Sequence, residues 1–341
     1  MSDTPLLAVY ELSRHFPLRG GLLSRPRAWV RAVDGVTFTV DEGESFGLVG
    51  ESGCGKTTLG RLVLRLIDAS GGRIVFHGRD ITHFNRMEMR PVRQELQAIF
   101  QDPYSSLDPR MKVESIVTEP FGAIERISKA ERRELAAELL DRVGLRAGDL
   151  KKYPHEFSGG QRQRIGIARA LCVRPRLIVA DEPVSALDVS VQAQVINLME
   201  DLKEVYHLSY IFISHDLSIV EHVCDRIAVM YLGKIVELAT AEIFAAAPRH
   251  PYTSALLASV PLPDPHRRTK PFAVEGEVPD PFNPPSGCAF HPRCPFVFDR
   301  CRIERPSLLE VTRGHSVACW LKGGRGLEGE SLHRRRSAQR G

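Results

Sequence analysis

No stretch of the chain reaches the roughly 18 to 20 apolar residues that a helix needs to cross a bilayer, so a membrane role would have to come through partners. The opening residues, Met1-Ser2-Asp3-Thr4-Pro5-Leu6, lack the basic region and apolar run of a secretory signal, and a cytosolic location is expected. Charge of one sign is scarce as well. The 46 Lys and Arg against 42 Asp and Glu leave a formal charge of +4, too slight a bias to argue for nucleic acid. Much of that excess falls in residues 326–341, where Arg334, Arg335 and Arg336 sit among Gly and Ser; this reads as a solvated, disordered basic tail. There is no internal repeat, which removes repeat arrays from consideration.

What is present describes an ordinary globular protein. A chain of 341 residues is long enough for one large domain plus a smaller appendage. Val36, Phe38 and Val40 alternate with Thr37 and Thr39, the period-two mark of a strand, and residues 6–12 and 30–49 read as strands around a Gly/Pro/Arg-rich inserted loop at 17–29. Residues 129–143 carry Leu135, Leu139 and Val143 at helical spacing between charges, an amphipathic helix. Leu177-Ile178-Val179-Ala180 and Tyr210-Ile211-Phe212-Ile213 are short buried strands, each after a helical stretch. That alternation predicts an α/β fold with a substantial parallel portion. Beyond about residue 245 the prolines crowd together (Pro248, Pro251, Pro261, Pro263, Pro265), and a loop-dominated extension is expected.

Seven cysteines divide into Cys54, Cys172 and Cys224, which are scattered, and Cys288, Cys294, Cys301 and Cys319, which cluster near the end. In a reducing compartment such a cluster suggests metal binding more than disulfides. The spacing C-x5-C-x6-C-x17-C has none of the close pairs of a zinc finger.

The most informative segment is Gly50-Glu51-Ser52-Gly53-Cys54-Gly55-Lys56-Thr57, followed by Thr58. It matches G-x-x-x-x-G-K-[ST] in full, between a buried strand (Ser45-Phe46-Gly47-Leu48-Val49) and an apolar-periodic helix (Leu59, Leu62, Val63, Leu66). Glycines let the backbone curl until successive N–H groups point at phosphate oxygens, and the helix start adds its positive end. Lys56 is placed to reach the β- and γ-phosphates, and Thr57 to offer its hydroxyl to Mg²⁺. Asp181-Glu182 ends an apolar strand, where the edge of an α/β sheet forms ligand sites. The first carboxylate suits Mg²⁺, the second a reacting water.

Between these motifs lies Ser158-Gly159-Gly160-Gln161-Arg162-Gln163-Arg164, which resembles the signature sequence of ABC ATPases. Gln101 after Phe100, Ser185-Ala186-Leu187-Asp188 and His215 fall in the family's order, so the resemblance covers about residues 6–245. Phe157 and Val184 depart from the family's usual residues without removing a catalytic group. The resemblance implies the P-loop ABC ATPase fold, a mixed sheet core with an antiparallel β part and a helical subdomain at about 103–165. It implies Glu182 as general base, with Asp181, Thr57 and Gln101 at Mg²⁺ and His215 at the γ-phosphate. Ser158, Gly159, Gly160 and Gln161 would serve nucleotide bound to a second ATPase subunit in a head-to-tail dimer, and Asp188 is a further candidate at the nucleotide site. Phe16 stands where the family stacks an aromatic on adenine, with a core aromatic as the alternative and Tyr10 close by.

Two further segments resemble the dipeptide/oligopeptide importer ATPases, a branch that also serves nickel and glutathione: residues 100–110, and the tail from His250-Pro251-Tyr252-Thr253 through Gly287-Cys288-Ala289-Phe290-His291-Pro292-Arg293-Cys294-Pro295. That likeness implies two ATPase subunits, a related chain being favoured as the second, beneath two membrane permease subunits fed by a substrate-binding protein. The whole would lie at the cytoplasmic face of the membrane. Tyr104 and Leu107 are candidates for the permease contact, with core packing as the alternative. Residues 246–325 form the Pro/Cys-rich extension, and relatives with this tail imply a [4Fe–4S] cluster on the four cysteines, for which four thiolates suffice. Zinc or free structural thiols are the other readings. A non-transport ABC ATPase of translation or DNA repair is the rival class; those carry two cassettes or a long coiled-coil insert, and this chain has neither.

Overall fold

The computed structural model describes residues 4–19, 26–102, 106–122, 128–259 and 276–321. Tyr104, the basic tail and Arg334, Arg335 and Arg336 lie outside the described residues. The chain divides into two compact units, the first drawn from residues up to 14, 35–47 and 57–215, the second from 15–34, 48–56 and 216 onward.

The first unit holds three parallel strands, Leu96–Ile99, Leu177–Asp181 and Ser209–Ser214. Leu177 pairs with Leu96 on one side and with Ser209 on the other. The middle strand is apolar at four successive positions because both its faces are covered; Leu177, Ile178, Val179 and Ala180 are all buried. Asp181 stands beside Ile213 at the strands' C-terminal end, and the Glu182 N–H donates to the Ile213 carbonyl at 2.9 Å. The turn to Glu182 is therefore fixed by the sheet. An antiparallel layer pairs Leu7 with Phe76 and Ser13 with Gly71 across the strands Leu7–Arg19 and Gly71–Phe76. Residues 17–19 and 26–29, expected in a loop, belong to the strands Leu7–Arg19 and Pro26–Val40. Pro17 is tolerated because it lies beyond Ser13, the last residue of its strand to pair with Gly71–Phe76.

Helices Val113–Val117, Lys129–Arg142 and Gly159–Leu171 bury Val113, Ile116, Leu139, Leu140, Ile165 and Ala168. Ser128 starts the second of these as a reciprocal cap: Glu131 N–H donates to its hydroxyl, and its own N–H donates to the Glu131 carboxylate. Buried Arg162 donates to the carbonyls of Pro154 and His155, and Arg169 to that of Ser106, tying irregular chain to the last helix. Leu107 is 1% exposed, so of its two readings core packing is the one it fulfils.

In the second unit Arg226–Tyr231 and Lys234–Thr240 form a hairpin, Tyr231 opposite Lys234 and Arg226 opposite Thr240. His315–Val317 pairs beside Lys234–Thr240, and Leu309–Thr312 beside that. The chain beyond 245 thus contributes sheet as well as loop. Glu237 anchors it from within. Its carboxylate, fully buried, accepts the Arg249 and His250 N–H groups at 2.7 and 2.9 Å and pairs with His315 Nε2 at 2.7 Å, which satisfies a charge that burial alone would not allow.

Candidate functional site

In the second unit the loop of residues 50–56 has the shape its glycines predict. Gly50 has φ +150°, and a Cβ there would sit 2.2 Å from the Met230 carbonyl oxygen. Gly55 has φ +109°, and its Cβ would meet the Ala32 oxygen at 2.1 Å. No side chain fits either place. Cys54 carbonyl accepts the Gly233 N–H at 2.8 Å, so the loop rests on the hairpin turn. Lys56 is buried, its ammonium donating to the carbonyls of Gly50 at 2.7 Å and Glu51 at 3.0 Å. Burial pushes the Cys54 thiol upward, with Lys56 opposing, so it stays protonated. Ser52 and Gly53 continue the loop, Gly53 with open space around it. Phe16 is half-buried in its strand.

The first unit holds the acidic part. Thr57, bonded in the chain to Lys56, directs its hydroxyl to Asp181 Oδ1 at 3.1 Å; Thr58 follows in the helix Lys56–Val63. Glu182 has φ +47°, unusual for a side chain this large, and stands where two neighbours converge on its carboxylate. Gln101 Nε2 donates to Oε2 at 2.7 Å, and His215 Nδ1 lies 3.2 Å from Oε1. His215 is 58% exposed and Glu182 17%, so the carboxylate is sheltered while the ring is free to meet a ligand. Thr57 and Asp181 supply two hard oxygens close enough to share one cation, a set that suits Mg²⁺, which takes few protein ligands and completes its shell with phosphate and water.

Ser158 caps the helix Gly159–Leu171. Its N–H donates to Gln161 Oε1 at 3.0 Å, and Gln161 N–H returns to its hydroxyl at 3.4 Å. Gly159 lies against Leu187, while Gly160 is so close to Val191 that a Cβ would stand 2.4 Å from its methyl. Asp188 begins the helix Val189–Tyr206 without a side-chain cap. Tyr10, the other aromatic near Phe16 in sequence, is covered by the Arg73 guanidinium 5.0 Å from its ring.

Two residues at the loop lie outside the nucleotide motifs, in the tail segments that resemble the importer ATPases. Arg293 forms a two-pronged ion pair with Glu51, and Tyr252 accepts the Glu51 N–H. They stand more than 200 residues away in sequence, and no local pattern announces the contact.

Of the four clustered cysteines, Cys288 and Cys301 are held side by side by the Cys288 N–H, which donates to the Cys301 carbonyl at 2.8 Å, and neighbouring thiols of the set add to the upward shifts of Cys288, Cys294 and Cys319. Burial first, and then those neighbours, push Cys294 to about 12 and Cys319 to about 11, so they are protonated thiols. Among the described residues no group of three or more His, Cys, Asp or Glu is arranged to hold a metal ion. As packed, then, the cysteines do not fit the iron–sulfur cluster.

The structure of cbiO1 from Clostridium perfringens, part of the ABC transporter complex cbiONQ, superposes with a TM-score of 0.61 at 27% identity, covering 72% of this chain and 92% of that one. The ABC transporter family model matches residues 33–185, and the model for the oligopeptide/dipeptide transporter C-terminal region matches residues 236–301. The fold is therefore that of an ATP-binding cassette. A probable peptide ABC transporter ATP-binding protein of Sinorhizobium fredii is 53% identical over 94% of this chain and 91% of its own length. The oligopeptide transport ATP-binding protein AppF of Bacillus subtilis is 51% identical over 93% and 97%. The chain belongs to the ATP-hydrolysing, ATP-binding proteins of the oligopeptide/dipeptide ABC transporter family. No described helix is long and apolar enough to cross a membrane.

Proposed function

We propose that the chain powers an importer of di- or oligopeptides, with ATP closing two ATPase subunits and the closure moving a gate in two permease subunits. The observation that carries the chemistry is the convergence of Gln101 and His215 on the sheltered Glu182 carboxylate. In this reading the N–H groups of residues 50–56 and the Lys56 ammonium hold the phosphates. Glu182 takes a proton from the attacking water, Gln101 holds that carboxylate and the water in line, and His215 contacts the γ-phosphate. Thr57 and Asp181 hold Mg²⁺, which when bound neutralises charge on the phosphate oxygens. Ser158, Gly159, Gly160 and Gln161 act on nucleotide held by the second subunit, their helix directing its positive end toward it. Asp188, at the start of the helix Val189–Tyr206, is a further nucleotide contact in this reading.

A peptide substrate is supported by the names of relatives at 53% and 51% identity. Nickel, glutathione and non-transport roles have no such support. The place of work is the cytoplasmic face of the cell membrane, reached through the permeases. Glu182→Gln should retain ATP binding and lose hydrolysis by about 10²–10⁴-fold; near-normal turnover would remove the base. Loss of peptide uptake with that variant, and recovery of two multi-span proteins with the tagged chain, test the transport role.

The cluster on Cys288, Cys294, Cys301 and Cys319 is a separate proposal, supported by the shared neighbourhood of the thiols. It requires the thiols to lose their protons. Iron and sulfide that vanish with Cys294→Ser would support it; an iron-free, well-folded preparation from anaerobic cells would end it.

A further inference from the structure

Arg293 and Tyr252 lie in the stretch matched by the C-terminal transporter model, outside every nucleotide motif. Both grip Glu51, the second residue of the phosphate loop. Arg293 donates from one terminal nitrogen to Oε2 at 2.8 Å and from the other to Oε1 at 2.9 Å, two parallel bonds that fix direction as well as distance. Its side chain is 7% exposed and that of Glu51 30%, so the pair is screened far less than a surface bridge. Tyr252 is fully buried, and its hydroxyl accepts the Glu51 N–H at 2.8 Å.

The grip is rigid. Tyr252 packs on Tyr231 at 4.7 Å between ring centroids, and Phe290 lies 5.4 Å from each. The guanidinium of Arg293 sits 6.0 Å from both the Tyr231 and the Phe290 rings. The backbone of Tyr252 is in turn held by His250.

The position of Glu51 poses an electrostatic problem that this grip solves. A carboxylate directly after the loop's first glycine would repel the triphosphate the loop is shaped to receive. It would also be free to draw the loop out of shape, since among the described residues Arg293 is the cation that pairs with its side chain.

We propose that Arg293 is a positioning residue for ATP binding: it neutralises and immobilises the Glu51 carboxylate, so that the C-terminal extension sets the phosphate affinity of the loop. This rests on reading residues 50–57 as the phosphate-binding loop. Tyr252 assists by fixing the Glu51 backbone. The pair acts at Glu51, so the effect expected is on nucleotide affinity and not on the chemistry at Glu182.

The test measures binding of a fluorescent ATP analogue and steady-state hydrolysis with the full-length chain. Arg293→Ala should weaken binding about tenfold or more and raise KM in step, with kcat within about twofold of wild type. Adding Glu51→Gln to Arg293→Ala should recover most of that loss, because the uncompensated charge is gone. Arg293→Lys, which keeps the charge without the fork, should fall between. Wild-type affinity in Arg293→Ala would overturn the proposal. So would a loss that Glu51→Gln does not relieve, which would mark a merely structural role. Lys56→Ala separates the two readings: wild-type binding of the analogue there would overturn the loop assignment and the proposal with it, whereas loss of binding there beside wild-type affinity in Arg293→Ala would overturn the proposal alone.

Discussion

Acid should weaken the second unit through one buried imidazole. His250 is 1% exposed; its Nδ1 accepts the Tyr252 N–H at 3.1 Å, and its ring lies 5.6 Å from Phe290. Burial pushes its pKa from the ordinary 6.5 down to about 4, with the Glu237 carboxylate opposing. A proton on Nδ1 would face the Tyr252 N–H directly, so the folded ring resists charging. The unfolded chain takes up that proton from about pH 6.5, the folded chain only near 4. Stability from this group is therefore complete above pH 6.5 and falls away as the pH drops toward 4. Linkage gives a loss of about 2 kcal/mol at pH 5.0, approaching about 3 kcal/mol below pH 4. Two other titratable groups face it or its partner. Glu237 is held below its ordinary 4.5, against burial, by His315, Thr253 and two backbone N–H groups, so its own contribution is lost only at lower pH. His315 sits against Glu237 on the far side. Urea unfolding of wild type and His250→Asn at pH 7.5 and 5.0 isolates the imidazole, since Asn can accept the Tyr252 N–H and does not titrate. The variant should be less stable at pH 7.5, and the gap should narrow by about 2 kcal/mol at pH 5.0. An equal gap at both pH values would refute the reasoning.

Gly55→Ala should abolish detectable ATP binding while the chain stays folded, because its Cβ would press on the Ala32 carbonyl in a backbone region that costs about 1–3 kcal/mol for any side chain; calorimetric titration with ATP checks this. His215→Ala should lower kcat by about 10- to 100-fold with ATP affinity within a few-fold, since the exposed ring pairs with the base. Hydrolysis and binding measured side by side distinguish that from a folding defect.

Much of this molecule was legible because its informative segments are local. The loop at 50–57 needs glycine where φ is positive, and a serine followed three residues later by glutamine before an apolar run announces the cap at Ser158. The strand Leu177–Asp181 was readable from four buried apolar residues in a row, and the carboxylates at its end followed. Residues 17–19 and 26–29 belong to a segment with the Pro and Gly content of a loop yet lie in strands, because composition is a local signal and strand pairing is not. The sheet contributed beyond 245 was hidden by proline for the same reason. The cysteine spacing suggested a metal cluster, yet among the described residues no such group is arranged to hold a metal ion, because packing and not spacing decides where side chains converge.

By itself, then, the sequence determined the class: phosphate loop, acidic strand end, signature helix and their order are consequences of backbone geometry over a few residues each. Tertiary structure alone decided which groups face the loop's second residue. Arg293 and Tyr252 reach Glu51 across 242 and 201 residues, and only the packing of Tyr231, Tyr252 and Phe290 brings them there. An ion pair's partner is chosen by distance in space, and a motif records only distance along the chain.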